Sequence, residues 1–460
     1  MKKTPDALII VAVILVLVIA STWVIPAGSF DRIEKDLGDR TVTVVVPGTY
    51  QPQEASPQSI FTAFTAPLKG ITSAANIIAF VLLVGGAFSM LMKTGAIDAA
   101  LHKILERAKK HPGNSLAVIP LLMLVFAFAG YSFGMSEETL VFVLITLPLA
   151  RSLGYDNFVG VAIPFIGAGV GFAGAAFNPF TVGIAHGIAE LPVFSGAGYR
   201  TLICVVFTLV ASVWVMRYAR KVMRNPELRF LPEGQGSAKA LDAAPFTTPR
   251  RIILLLFFAA LAMVMYGAVE LGWYIGEISG LFIALGIASV VIARMSVGDS
   301  VKAFYEGAKD MLPAGLIIGL SKSILVVAED GMIIDTILHA LSGAADGLPK
   351  VVAVQMMFFV QGAINFFIPS GSGQAAITIP IMSPLADLLG ISRQTAVLAY
   401  QFGDGLFNLI IPTSGVTMGI LSIAGIPFGK WLRWVWKLIV LLVILSMVFL
   451  ALPVAVFEWM

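Results

Sequence analysis

Runs of about twenty apolar residues mark helices that cross a bilayer, because in hydrocarbon each backbone N–H and C=O must be paired inside its own segment. This chain carries such runs at 7–26, 73–93, 115–133, 138–153, 156–190, 198–218, 251–271, 275–293, 312–328, 352–368, 376–390, 394–424 and 431–456. Several are short, or are broken by Gly and Pro. Apolar residues make up 58% of the chain and charged residues 12%, and the mean hydropathy is +0.92. Soluble domains average about 25% charged residues. A soluble fold of 460 residues cannot hide this much apolar surface in one core, so lipid is the solvent for much of it. The expected fold class is an all-α polytopic membrane protein.

The same composition narrows function. A net charge of +3, without a basic cluster interleaved with aromatics, excludes nucleic acid as a partner. Cys204 is the single cysteine, so no internal disulfide forms. His102, His111, His186 and His339 lack metal-ligand spacing, and no P-loop, G-x-S-x-G or H-E-x-x-H occurs. An ATP-driven pump and the common hydrolases are disfavoured, and the chain is expected not to be an enzyme. The opening Met1-Lys2-Lys3 and the apolar run to about Val24 resemble a signal peptide, but the run exceeds the usual h-region of about 7–15 residues. It is read as the first membrane helix.

Basic residues set orientation. Arg217, Arg220, Lys221, Arg224, Arg229, Lys239, Arg250 and Arg251 crowd the segment 217–251. Lys103, Arg107, Lys109 and Lys110 form a second group, and Lys430, Arg433 and Lys437 a third. These face the cytoplasm under the positive-inside rule. The mixed, polar loop 27–70 is expected outside. The N-terminus is then cytoplasmic and the C-terminus external, in a cell inner (cytoplasmic) membrane. Residues 223–250 read as a cytoplasmic linker between a first half, 1–222, and a linking transmembrane helix, 251–271, followed by a second half, 272–460.

The halves repeat. Ser136-Glu137-Glu138, then Leu147-Pro148-Leu149-Ala150 and Leu153-Gly154, return 236 residues later as Ser372-Gly373-Gln374, Ser383-Pro384-Leu385-Ala386 and Leu389-Gly390. Gly95-Ala96-Ile97 likewise returns as Gly331-Met332-Ile333, and Asp98…Leu101-His102 returns one residue out of phase as Asp335…Leu338-His339. Helix 73–93 runs inward and its partner 312–328 outward, which makes an inverted repeat, a mark of many secondary transporters. Each copy holds a pair of short arms, 115–133 with 138–153 and 352–368 with 376–390, read as re-entrant hairpins. A broken transmembrane helix follows each.

Four interrupted points carry the candidate chemistry. Two are the tips, Gly134-Met135-Ser136-Glu137-Glu138-Thr139 and Pro369-Ser370-Gly371-Ser372-Gly373-Gln374. Two are the breaks, Phe177-Asn178-Pro179-Phe180-Thr181 and Asn408 through Pro412-Thr413-Ser414-Gly415. Non-helical backbone at membrane depth persists only where it is buried in protein or lines a wet cavity. Freed amides and half-helix N-termini suit anions, and freed carbonyls suit Na⁺. The candidate binding residues are Ser136, Glu137, Glu138, Thr139, Asn178, Ser370, Ser372, Gln374, Asp404, Asn408, Thr413 and Ser414. A single Pro or Ser in a membrane helix is as often a kink or helix glue, so the weight lies in four clusters at matched places.

An intramembrane acid is costly and is a functional candidate by default. Glu137, Glu138 and Asp404 are the three here; each serves to take a proton, help bind Na⁺ or balance a substrate ammonium, or else simply reaches water. Lys322 lies outside the interrupted points. It reads first as a lysine that snorkels or fixes scaffold helices, and second as a carboxylate anchor. His102 with Asp98 and His339 with Asp335 read as polar faces of interfacial helices rather than a proton relay.

With these residues in view, the chain resembles the YfcC-like branch of the C4-dicarboxylate anaerobic carrier family, within the ion transporter superfamily. The features are Val24-Ile25-Pro26-Ala27-Gly28-Ser29-Phe30 with Arg32, Glu306-Gly307-Ala308 with Asp310-Met311, Asp335-Thr336-Ile337-Leu338, the tip Ile368 to Gly373, and Gly403-Asp404-Gly405 with Ile411 to Gly415. The resemblance covers essentially the whole chain. It implies a secondary transporter, a homodimer, and an elevator motion of a transport domain against a scaffold. It also implies Na⁺ and a substrate carboxylate near Ser136, Asn178, Ser372, Asn408 and Thr413. Substrates of the family divide between dicarboxylates and amino acids. The chain has no evident pair of intramembrane arginines and has three acids, which favours an amino acid or related small carboxylate, carried with Na⁺ or H⁺. A C4-dicarboxylate carrier or exchanger is the alternative, a channel the alternative of another class, and an intramembrane enzyme a more remote one. No bound cofactor is expected beyond the coupling ion.

Overall fold

The computed structural model describes residues 7–36, 41–97, 99–100, 103, 116–192, 194–230, 245–271, 273, 275–343, 348–457 and 459. Asp98, His102, His111, Arg107, Lys109 and Lys110 lie outside these residues, as do residues 231–244 of the expected linker.

Helix α1 (Ala7–Ser21) opens the chain. The polar loop expected over 27–70 carries two short antiparallel ladders, so the fold is helical with a small β addition. Strand β1 (Gly28–Ser29) pairs with β4 (Gln51–Pro52), and β2 (Arg32–Asp36) pairs with β3 (Thr41–Val45), Arg32 opposite Val45 and Ile33 opposite Val44. Thr, Val and Ile recur through β2 and β3, residues that suit a pleated, half-buried surface. Val44 is buried against a cluster that includes Ile184, Ala185, Ala375, Ile379 and Tyr400. This strap is tied down elsewhere too. The amide of Phe30 donates to Asp335 Oδ2 at 3.0 Å, the Arg32 guanidinium reaches the same carboxylate at 2.9 Å, and the ring of Tyr50 stacks on His339 with centroids 4.1 Å apart.

The remaining helices follow as α2 (Thr62–Ser73), α3 (Ala75–Lys93), α4 (Val118–Phe133), α5 (Thr139–Ser152), α6 (Asn157–Ala173), α7 (179–188), α8 (Ala197–Arg224), α9 (Thr248–Glu270), α10 (Ile275–Ile292), α11 (Val297–Asp330), α12 (Ile334–Gly343), α13 (Lys350–Phe367), α14 (Gly371–Leu388), α15 (Arg393–Phe407), α16 (Gly415–Ala424) and α17 (Phe428–Ala455). Among the described residues α3, α8, α10, α11, α13 and α17 are long and apolar enough to cross a bilayer. By contrast α1, expected to span as 7–26, and α4, α5, α6 and α16 fall short of the roughly twenty residues a crossing needs.

Two helices differ from expectation: α2 (Thr62–Ser73) takes up the end of the loop expected over 27–70, and α11 is longer than its apolar run. The apolar run 312–328 is only the second part of α11, which has 34 residues and passes through Pro313 without ending. Ser296 caps its start, its hydroxyl oxygen accepting from the Asp299 amide at 3.0 Å. Proline costs an intrahelical bond, and close packing of α11 along α2, α3 and α1 holds the helix through it.

Both halves show the same succession of two arms, a helix, a break and a shorter helix, the arms of the second half being 18 residues each against 16 and 14 in the first. Asn157 and Arg393 open α6 and α15, Pro179 and Gly415 open α7 and α16, and Ile188 and Ala424 close them, each pair 236 residues apart. Proline shapes the first copy. The backbone around Pro164 widens into a π-turn over 162–166, and a second π-turn follows Pro179 over 179–183. Such turns accommodate a missing donor and often sit at functional sites.

Candidate functional site

Each interruption is stabilised by its own residues. Helix α4 ends at Gly134, whose φ of 76° is left-handed and needs a residue without a Cβ. The first tip then folds on itself: the Ser136 amide donates to Glu138 Oε2 at 3.1 Å, and the Thr139 hydroxyl donates to the Ser136 carbonyl. At the first break, Asn178 caps the short helix, its Oδ1 accepting from the Phe180 amide at 2.9 Å, with Pro179 in the first helical position. At the second break Ser414 caps α16 by accepting from the Thr417 amide at 3.4 Å, and the Thr417 hydroxyl donates back to the Asn408 carbonyl.

These four points converge. A side chain on Gly134 would strike the Asn178 carboxamide, so the first tip presses on the first break. A Cβ on Gly405 would lie 2.7 Å from the Ala173 Cα, so the two broken helices meet backbone to backbone, and Gln401 Nε2 donates to the Phe172 carbonyl at 2.6 Å there. The second tip rests on both breaks, with Gly371 against Thr181 and Asp404 and its carbonyl accepting from the Tyr400 hydroxyl at 2.7 Å. Between tips, breaks and α11 lies a cavity of about 320 Å³. That volume is at the lower end of the usual range for small-molecule sites, about 300–1,000 Å³.

Behind the second tip runs a chain of buried amides. Gln374 Nε2 donates to Gln361 Oε1 at 2.7 Å, Asn365 Nδ2 donates to Gln374 Oε1 at 3.0 Å and to Asp404 Oδ1 at 2.8 Å, and Asn408 Nδ2 donates to the same Oδ1 at 2.8 Å. Both arms of the second hairpin are thus locked to the second break through one carboxylate oxygen. The other oxygen, Oδ2, has no hydrogen-bond partner and faces Gly371.

The expected residues divide by position. Ser136, Glu137, Ser370, Ser372, Asn408, Thr413 and Ser414 stand on the cavity wall. Thr139 lines a narrow adjoining pocket with Ser136 and Asn408. Glu138 folds back on the tip amide. Asn178, Gln374 and Asp404 stand one layer behind the wall, where they hold tips and breaks in place. Of the three acids, Glu137 is the one on the wall.

Other residues join them. Gln361 and Asn365 sit four apart inside the apolar arm 352–368, a pair of amides on one helix face, which is a signal readable in the sequence. Lys322 is on the wall with Ile318, Ser321 and Leu325, one face of α11. Its distance in sequence from the interrupted points concealed this. Thr181, Ser321 and Thr413 present buried hydroxyl oxygens without a partner on the same wall. A buried unpaired polar atom costs about 1–3 kcal/mol, so these three hydroxyls are open to a ligand in the cavity. Hydroxyl, carboxamide and carbonyl oxygens of this kind are donors fit for Na⁺, and the tip amides and Lys322 are fit for a carboxylate.

Comparison with known proteins agrees along the whole length. The profile of a family described as "C4-dicarboxylate anaerobic carrier" matches residues 4–455. The chain is 35% identical to a protein of Escherichia coli (strain K12) named "Putative basic amino acid antiporter YfcC", over 96% of this chain and 95% of that one. It is 28% identical to an uncharacterized protein of Haemophilus influenzae, with 99% of each covered. Among solved structures it aligns with the YdaH transporter of Alcanivorax borkumensis at 18% identity and TM-score 0.40, covering 98% of both chains. It aligns with MtrF of Neisseria gonorrhoeae at 18% identity and TM-score 0.43, covering 99% of this chain and 96% of that one. By the family profile and the 35% identical relative, the chain belongs to the C4-dicarboxylate anaerobic carrier family of membrane transporters.

Proposed function

We propose that this transporter is a secondary active carrier of an amino acid or related small carboxylate, driven by Na⁺ or H⁺ across a cell inner membrane. The observation that carries this reading is the convergence of both tips and both breaks on one cavity whose wall combines Ser, Thr and Asn oxygens with Glu137. Half-helix ends and side-chain oxygens at the bilayer midplane suit a carboxylate and a small cation together. The name of the Escherichia coli relative, a putative basic amino acid antiporter, supports an amino acid. In this reading the two halves are an inverted repeat, α4 with α5 and α13 with α14 are re-entrant hairpins, and the hairpins with the broken helices move as an elevator within a homodimer. Ser136, Asn178, Ser372, Asn408 and Thr413 surround the coupling ion and the substrate carboxylate.

The family description favours a second reading, a C4-dicarboxylate carrier. Against it, the cavity wall offers one lysine and no arginine for two carboxylates. Reconstitution in proteoliposomes separates the two. Labelled amino acids, succinate and fumarate are each offered with an imposed Na⁺ gradient or an imposed pH gradient. Accumulation of an amino acid above its outside concentration supports the proposal, and accumulation of succinate or fumarate with amino acids excluded overturns it. Equilibration without accumulation under either gradient would indicate a channel.

A further inference from the structure

We infer that Lys322 is a specificity-determining residue of this site, the cationic pole that takes the carboxylate of an amino acid whose ammonium faces Glu137. The inference rests on the transport reading above and deepens it by assigning the two ends of the substrate. Its first support is direction. Ile318, Ser321, Lys322 and Leu325 all line the cavity, so this face of α11, with Lys322 in it, looks into the site. The second is depth. Lys322 is eight residues from the end of α11 at Asp330, about 12 Å along the axis at 1.5 Å per residue, which is a long reach for a snorkelling side chain. The third is charge. No carboxylate among the described residues pairs with Lys322 within 4 Å. Two lie within electrostatic range: Glu329, two turns further along the helix, and Glu137, on the same cavity wall.

A cavity with one cationic and one anionic wall group is complementary to a zwitterion. A dicarboxylate would meet Glu137 with like charge, and a simple amine would leave Lys322 without a counter-charge, a penalty that acts against the wrong ligand. The alternative is that Lys322 pairs at longer range with Glu329 to steady α11 and never touches substrate.

The test is binding to purified full-length protein, followed by thermal stabilisation. The amino acid that the wild type holds most tightly is compared with its methyl ester and with the amine lacking its carboxylate. The wild type is expected to prefer the free acid. Lys322→Gln is expected to lose affinity for the acid by roughly 10- to 100-fold, the scale of one charge-assisted hydrogen bond. Its affinity for the ester stays unchanged, so the preference collapses, and the retained ester binding shows that the variant is folded. Lys322→Arg is expected to restore most of the preference. If the wild type holds no amino acid, the transport reading itself fails. If the wild type does hold one, and Lys322→Gln keeps both affinity and preference, the inference about Lys322 alone is overturned.

Discussion

Gly371 lies so close over Asp404 that a Cβ at position 371 would come within 2.8 Å of the free carboxylate oxygen, Oδ2. The tip of the second hairpin and the acid of the second broken helix are in this way a single packed unit. Gly371→Ala, whose Cβ would also strike the Thr181 methyl, must lift the tip or displace both groups, an overpacking that costs about 1–3 kcal/mol. Uptake in proteoliposomes is expected to fall at least roughly tenfold while the protein still purifies as a folded species; undiminished uptake would refute the coupling of tip and acid.

Asp404 accepts from Asn365 and Asn408 through one oxygen, an arrangement a neutral carboxamide partly preserves. Asp404→Asn should fold, since volume and one acceptor remain. Its loss of charge should abolish uptake or free it from the driving ion. Uptake measured with and without the Na⁺ and pH gradients checks this, and wild-type uptake with wild-type ion dependence would remove Asp404 from the mechanism.

Asn365 joins both arms of the second hairpin to Asp404. Asn365→Ala strands the buried Gln374 Oε1, a loss worth about 1–3 kcal/mol, and leaves Asp404 Oδ1 with Asn408 alone. The melting temperature is expected to drop clearly and uptake to be lost with it. A stability equal to wild type would show that the amide chain is dispensable.

The strap is held by a carboxylate with unequal donors. Asp335 is buried, whereas the Arg32 side chain is 42% exposed. Water can replace much of what Arg32 supplies, so Arg32→Met should cost no more than about 1 kcal/mol. Asp335→Ala also strands the Phe30 amide and should cost more, about 1–3 kcal/mol. Thermal melts that rank the two variants in the reverse order would contradict this account of the strap.

Glu190 lies in the loop between α7 and α8, bridging Arg393 at 3.3 Å and Lys35 at 3.5 Å. The Arg393 hydrogen bond, with Lys35 beside it, holds its carboxyl below the usual carboxylate range. A depressed folded-state pKa contributes stability that is fully present above the unfolded value, about 4.3. That stability is lost as pH falls through the lower folded value. The melting difference between wild type and Glu190→Gln should therefore be constant near neutrality and shrink only below about pH 4.3. A difference that vanishes between pH 6 and 8 would show that the bridge does not stabilise the fold.

Much of the architecture was legible in local chemistry. Apolar runs announced the helices, Pro179 and Pro412 announced the breaks, and Gly134 and Gly371 marked the tips, because a missing N–H or Cβ acts on its own few neighbours wherever the chain goes. Of the candidate site, Ser136, Glu137, Ser370, Ser372, Asn408, Thr413 and Ser414 do share one wall. Less legible was the difference in rank among the acids. Glu137, Glu138 and Asp404 look alike in sequence, yet one lines the cavity, one folds onto its own tip and one stands behind Asn408. The run read as 312–328 began too late, since α11 starts at Val297 and close packing carries it through Pro313 to 34 residues.

By itself, then, the sequence determined that this chain is a membrane-embedded helical protein with four interruptions matched between its halves, because hydropathy, backbone donors and glycine freedom are properties of short segments. Only the tertiary structure decided that Lys322 faces the cavity, that Gln361, Gln374 and Asn365 form one buried chain to Asp404, and that a β strap from the first loop is pinned to Asp335. The reason is physical. Which way a side chain points, and what it meets there, depends on how a helix is rotated and packed against elements hundreds of residues away, and periodicity along one segment carries no information about that.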